Sequence, residues 1–320
     1  MWTVDTPIRV GLVGAGHWAE VMHGPTLAAG PETTLTGVWA RRPDAARRLA
    51  AQLGTTAADD FDALLDRCAA VAFAVPPDVQ ADLAVRAAEA GRHVLLEKPV
   101  ALTVADAERV AKAVRDNGVV SQLVLTKRYH PATRAFLAAA AEFETIGARA
   151  RYLHGGFLDG PFATGWRLDH GALVDLGPHL LDLVEAAVGR IETVTGHGAS
   201  TGWLELTCAH RGGAVSQLSL SGSVRLPRSR AGVELYGRSG VLEIDFATID
   251  HAECWPVLRS EFAHAVRTGT PHPLDADHGL RLQHLLVVDQ PGQQVDRPGD
   301  DRDAEDVREQ RVAQGRPADR

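Results

Sequence analysis

The sequence predicts an α/β fold in which a doubly wound parallel sheet is followed by an α+β part built on several short strands. Three observations carry that reading. Short apolar runs alternate with helical segments up to residue 126, the first run opens into a glycine-rich turn, and short strands cluster between residues 192 and 246. Strands alternating with helices of this length form right-handed βαβ units, which set a parallel sheet between two helical layers.

Ile8-Arg9-Val10-Gly11-Leu12-Val13 is the first apolar run, and Gly14-Ala15-Gly16-His17-Trp18-Ala19 follows it. In this Gly-x-Gly-x-x-Ala turn the first glycine permits the bend and the second lets the backbone approach a pyrophosphate. Ala19 lets helix and strand pack closely. The next helix turns free N–H groups and its positive dipole end toward the phosphates. A second strand over 34–40 runs into Ala40-Arg41-Arg42-Pro43, where a cofactor with a free ribose 2′-hydroxyl usually meets an acidic residue. Guanidinium groups suit a 2′-phosphate, so NADP is the preferred cofactor and NAD the alternative. The alternation continues through helices 44–54 and 61–67, strand 70–75 closed by Pro76-Pro77, and helix 78–90 capped by Gly91. Strand 93–96, helix 104–117 capped by Gly118 and strand 119–126 complete it.

Strand 93–96 ends in Glu97-Lys98-Pro99, at the carboxyl edge where open α/β sheets bind ligands. Lys98 is one of three lysines among 33 basic residues, so an ammonium is kept here against an arginine-rich background. Lys127-Arg128-Tyr129-His130-Pro131 then leads into a helix over 132–142, and a strand follows over 148–157. The loop 158–169, with Gly160-Pro161 and Trp166-Arg167, is expected to be a pocket wall or lid. In the helix 173–188, Asp175 and His179 stand four apart and share one face. Leu176, Leu180, Leu183, Val184 and Ala187 form its buried stripe, Gly189 stops it, and Pro178 belongs in its first turns. Strands follow over 192–196, 203–209, 214–219, 233–236 and 241–244, with Gly212-Gly213 as a hairpin signal, and then helices over 260–267 and 276–288.

Composition narrows the function. A net charge of −8 with no basic cluster argues against nucleic acid as partner. No apolar run approaches the ~20 residues that span a membrane, and no basic region followed by an apolar stretch marks a secretory signal. Cys68, Cys208 and Cys254 are far apart, which predicts no metal site and a reducing cytoplasm. Residues 289–320 hold no Leu, Ile, Met or aromatic residue and carry nine acidic side chains against six arginines, so disorder is expected there. The expected cause is a shifted reading frame that replaced the native end near Asp289.

In order and spacing, Gly14-x-Gly16-x-x-Ala19, Val75-Pro76-Pro77, Glu97-Lys98-Pro99 and Asp175-Leu176-Gly177-Pro178-His179 with Asp182 resemble the glucose–fructose oxidoreductase / inositol dehydrogenase / rhizopine-catabolism (Gfo/Idh/MocA) family over residues 8–288. The resemblance implies a dinucleotide-binding Rossmann domain (1–126) and a substrate and oligomerisation domain (127–288) with an open-faced, mostly antiparallel sheet. It implies a cis Lys98–Pro99 bond, and a homo-dimer or tetramer formed through that sheet. It also implies hydride transfer between NADP or NAD and a secondary alcohol or ketone of a sugar, sugar acid, cyclitol or related polyol. Lys98, Asp175 and His179 are then the catalytic set, with His179 as general base, Lys98 on the reacting oxygen and Asp175 orienting the substrate or His179; which of Lys98 and His179 finally takes the proton stays open at this level. The cofactor is expected against Gly14, Gly16, His17, Trp18, Arg41, Arg42, Pro76, Glu97 and Lys98. The substrate is expected against Lys98, Arg128, Tyr129, Trp166, Arg167, Asp175 and His179. A regulatory protein that senses a dinucleotide without turnover is the alternative. An S-adenosylmethionine methyltransferase would leave Glu97-Lys98-Pro99 and the Asp175–His179 pair without a role.

Overall fold

The first apolar runs pair as a five-stranded parallel sheet in the order β2-β1-β3-β4-β5. Its strands are β1 (Ile8–Val13), β2 (Thr33–Trp39), β3 (Ala70–Phe73), β4 (His93–Leu96) and β5 (Ser121–Leu123). This computed structural model describes residues 6–288; the tail expected to be disordered, and its proposed frame shift, lie outside them. Every residue of β3 is buried, as a strand covered on both faces requires. The covering helices are α1 (Gly24–Ala28), α2 (Pro43–Gln52), α3 (Phe61–Leu65), α4 (Pro77–Glu89) and α5 (Val104–Asp116). Local chemistry starts them: Asp60 accepts from Ala63 N, Thr103 accepts from Asp106 N, and prolines open α2 and α4.

The strand expected over 119–126 is shorter. It ends at Leu123, and Thr126–Tyr129 turn as a 3-10 helix. Leu123 N donates to Leu274 O at 2.7 Å, and Leu123 O accepts from Tyr129 Oη at 2.5 Å and Leu125 N at 3.0 Å, so partners outside the sheet take both backbone groups of Leu123. Val124 and Leu125 are buried, as the apolar pattern foretells, and Val124 N still donates to Leu96 O of β4 at 2.8 Å.

A second sheet runs β11-β10-β6-β9-β8-β7. It comprises β6 (Thr145–Leu153), β7 (Ile191–Gly198), β8 (Leu204–His210), β9 (Val215–Ser221), β10 (Arg230–Gly237) and β11 (Gly240–Asp245). Only β6 and β9 pair in parallel, which makes the sheet mixed and mostly antiparallel. After α6 (Pro131–Ala141), α7 (Gly165–Val188) packs against this sheet. Val241, Tyr236, Gly147 and Val215 form one register row, and the three side chains in it are exposed. The chain returns through α8 (Cys254–Thr268) and α9 (Ala276–Leu285) to the first sheet's side, where Arg259 pairs with Glu32 at 2.6 Å and α9 packs on α5.

The helix over 173–188 differs from expectation in two ways. It begins at Gly165, inside the expected loop, and breaks at Gly171 (φ 70°, ψ −160°). Ser200 holds that break: Ala172 N donates to its carbonyl at 2.7 Å, Leu173 N to its hydroxyl at 3.0 Å, and the hydroxyl to His170 O at 2.7 Å. Counted from the break, Pro178 lies within the first two turns, as expected. Lacking an N–H, it leaves the Val174 carbonyl without its helical donor.

Candidate active site

The glycine-rich turn closes against the neighbouring strand. Gly14 has φ +115°, and a Cβ there would stand 2.3 Å from Ala74 O, so both backbone and space require glycine. At Gly16 nothing lies within 4 Å of where a Cβ would project, so its backbone is bare to the cleft. The following helix contains a π-helical stretch at Ala19–His23 before α1. Gly14 and Gly16, with Arg41, Arg42, Val75 and Pro76, line a cavity of about 360 Å³. Both arginines are exposed, and neither meets a carboxylate among the described residues. Glycine backbone at one end and free guanidinium groups at the other fit a dinucleotide with a phosphorylated ribose.

The Glu97-Lys98-Pro99 turn is pinned from beneath by Gln80, which is fully buried. Glu97 N donates to Gln80 Oε1 at 2.8 Å, and Gln80 Nε2 donates to Glu97 O at 2.8 Å and Val100 O at 3.1 Å. The Lys98–Pro99 bond is cis. Trp18 Nε1 donates to Glu97 Oε1 at 2.8 Å, and His23 Nε2 meets the same oxygen at 2.8 Å. This places Glu97 as a brace between the turn and the π-helical stretch.

Lys98 reaches across to α7, where its Nζ donates to Asp175 Oδ1 and to the Asp175 carbonyl, both at 2.7 Å. Arg167 Nε lies 3.2 Å from Asp175 Oδ2. Burial alone would raise the Asp175 carboxyl, but the Lys98 and Arg167 cations hold it below its ordinary value. Asp175 thus engages Lys98 and Arg167, not His179. His179 is 7% exposed, and neither ring nitrogen is hydrogen-bonded within the described residues. Burial first, then the charges of Lys98 and Lys127, push its pKa well below 6.5, so the imidazole is neutral.

Lys98, Asp175 and His179 line one cavity of about 260 Å³ together with Arg167 and Trp18. Other expected site residues lie elsewhere. Arg128 is paired with Asp182 at 2.7 Å, and Asp182 also meets His278 at 2.8 Å. Tyr129 is fully buried, its hydroxyl committed to Leu123 O. Neither lines the cavity. Trp166 and His17 line an adjoining stretch that also contains Gly16, Pro76, Glu97 and Lys98. The cavity walls include residues that the sequence reading did not single out for substrate: Thr126, Lys127, Tyr152, His154, Phe162, Ser229 and His251. Of these, Lys127 had a signal as one of the chain's three lysines, and Phe162 lies in the loop 158–169 expected to wall the pocket. Among the described residues, no three His, Cys, Asp or Glu side chains are grouped as a metal would need.

The three cavities are continuous. The stretch beside Trp166 shares Gly16, Ala74, Val75 and Pro76 with the arginine end, and Trp18, Glu97, Lys98, Phe162 and Arg167 with the His179 end. One cleft therefore runs from Arg41 to His179, and Lys98 stands where its two ends meet.

Two family models match the chain. Residues 8–124 match an oxidoreductase family with an NAD-binding Rossmann fold, and residues 144–243 match the GFO/IDH/MocA C-terminal domain. The dTDP-3,4-didehydro-2,6-dideoxy-alpha-D-glucose 3-reductase of Streptomyces violaceoruber is 32% identical over 273 residues, 79% of this chain and 77% of that one. The UDP-N-acetylglucosamine 3-dehydrogenase of Acidithiobacillus ferrooxidans is 29% identical over 249 residues, 75% of this chain and 74% of that one. The crystal structure of GenD2 from gentamicin A biosynthesis in complex with NAD has the same fold, with a TM-score of 0.78 at 23% identity, covering 89% of this chain and 93% of that one. The chain belongs to the Gfo/Idh/MocA family of oxidoreductases and carries its NAD(P)-binding Rossmann domain.

Proposed function

We propose that this member of the Gfo/Idh/MocA family transfers hydride between a nicotinamide and a secondary alcohol, or the matching ketone, of a sugar, sugar acid, cyclitol or related polyol. The observation that carries the reading is the continuous cleft, with Lys98 at the junction of its cofactor and substrate ends. Two relatives that act at position 3 of a nucleotide-linked sugar support a sugar ring as the reacting group. When bound, nicotinamide supplies or accepts the hydride. Lys98 Nζ donates to the reacting oxygen and stabilises negative charge as it develops there. Asp175 fixes Lys98 by two hydrogen bonds and offsets its charge. His179 takes the hydroxyl proton in oxidation and returns it in reduction.

The depressed pKa of His179 sets a pH dependence. The base form persists down to that lowered pKa, so kcat/KM for alcohol oxidation stays level as pH falls from 8 through 6.5 and drops only below that. An acid limb centred near the ordinary histidine value of about 6.5 would remove His179 from this role.

NADP is the proposed preference. Arg41→Ala is expected to weaken NADP binding about 10- to 100-fold, the range for losing a charge-assisted contact, with a much smaller effect on NAD. Equal dissociation constants for the two cofactors in the unmutated protein would overturn this. The exposed row of Val241, Tyr236 and Val215 supports a dimer or tetramer formed through the second sheet. Light scattering that returned the mass of one chain would reject that assembly.

The deciding experiment is a panel of sugars, sugar acids and cyclitols with each cofactor, followed by the absorbance of the reduced nicotinamide. Turnover of at least one member is expected. Tight NADP binding with no turnover of any would favour a dinucleotide-sensing protein.

A further inference from the structure

Lys127 is a buried ammonium with no carboxylate partner among the described residues. It is 3% exposed, and its Nζ donates one long hydrogen bond, to Tyr152 Oη at 3.3 Å. The rings of Tyr152 and Phe246 lie 4.3 and 5.3 Å from Nζ, a favourable but partial replacement for lost water. An ammonium has three N–H groups, so two remain without an acceptor. A buried charge in that state is costly unless something pairs with it.

The neighbouring charges do not supply the partner. Asp175 is taken by Lys98 and Arg167, and Glu97 by Trp18 and His23. Lys127 lines the His179 end of the cleft and neither of the stretches toward Arg41, so cofactor phosphates are not its partner. His154, on the same wall, accepts from Gly156 N through Nδ1 at 2.8 Å, which puts the proton of the neutral ring on Nε2. Burial keeps this imidazole below its ordinary pKa, so it offers a hydrogen-bond donor without adding charge.

We propose that the substrate carries an oxyanion, a carboxylate or a phosphate ester on the reacting sugar itself, and that Lys127 pairs with it. The inference rests on the oxidoreductase reading for calling that ligand the substrate. A cavity of about 260 Å³ lies below the ~300–1,000 Å³ of pockets that enclose drug-sized ligands, so the anion sits on the enclosed ring and not on a distant group.

The test is calorimetric binding to the NADP-loaded protein, with D-glucose, D-glucuronate and D-glucose 6-phosphate as probes that share a ring and differ in charge. At least one charged probe is expected to bind more than 10-fold tighter than glucose, and which one does so names the carboxylate or the phosphate as the source. In Lys127→Met the ratio of the glucose to charged-probe dissociation constants is expected to fall about 10- to 100-fold, the range for a charge-assisted hydrogen bond. Lys127→Arg should recover part of that ratio, and Lys127→Gln serves if the methionine variant does not fold. Glucose binding as tightly as both charged probes, or a ratio unchanged by Lys127→Met, would overturn the proposal. Turnover measured alongside separates the two readings. Lys127-dependent binding without hydride transfer would sink the oxidoreductase reading alone, whereas transfer to sugars with no preference for charge would sink this one alone.

Discussion

His179→Ala is expected to lower kcat by roughly 10²- to 10⁴-fold, the usual worth of a positioned general acid or base. Lys98→Ala should cost about as much, because it removes the donor to the reacting oxygen. The two variants differ in what else they disturb. The His179 ring is hydrogen-bonded to no protein group among the described residues and borders the cavity, so its removal should leave the melting temperature and NADP binding nearly unchanged. Lys98 neutralises a buried carboxylate, so its loss should also lower stability, with Arg167 remaining as partner to Asp175. The double variant should be little slower than the worse single one, since groups acting on one proton and one oxygen do not contribute independently. Near-normal rates in both single variants on a good substrate would show that the chemistry lies elsewhere.

The second large effect is structural. Gly171 occupies φ 70°, ψ −160°, a region essentially reserved for glycine, and a Cβ there would stand 2.3 Å from Ser200 O. Gly171→Ala must therefore distort the backbone or push away the Ser200 loop that holds the start of α7. Backbone strain and overpacking each cost about 1–3 kcal/mol, so a loss of roughly 3 kcal/mol or more is expected. At about 2 °C per kcal/mol for a chain of this size, Tm should fall by roughly 6 °C or more. Turnover should fall with it, because Asp175 lies one turn beyond the break and Arg167 just before it. A melting temperature within a degree of the parent would show that the kink yields easily and does not hold the site.

Features governed by neighbours in sequence were legible without the fold. Gly14-x-Gly16-x-x-Ala19 reads as a phosphate-binding turn because backbone freedom and a helix start are local properties. Asp175 and His179 share a face because four residues make about one helical turn. Glu97-Lys98-Pro99 announces itself by a lysine at a strand end in a chain with three lysines. Other features were misread for equally physical reasons. Lys127, Arg128 and Tyr129 are consecutive in a 3-10 turn, where successive side chains point in different directions. Lys127 lines the cavity, Arg128 turns to Asp182 and Tyr129 enters the core. Nothing local says which does which. The break at Gly171 was hidden for the same reason, since it is held by Ser200, 29 residues further on.

The sequence by itself determined the alternation of strands and helices and the cofactor turn, because each depends on backbone propensity and periodicity over a few residues. Tertiary structure alone decided that Lys98 bonds Asp175 across 77 positions and that Lys127 reaches the same cavity while Arg128 and Tyr129 do not. It also decided that His179 is buried beside two ammonium groups and so kept neutral. Those outcomes depend on which surfaces exclude water together, and that is set by packing between elements distant in the chain, where no short-range pattern records it.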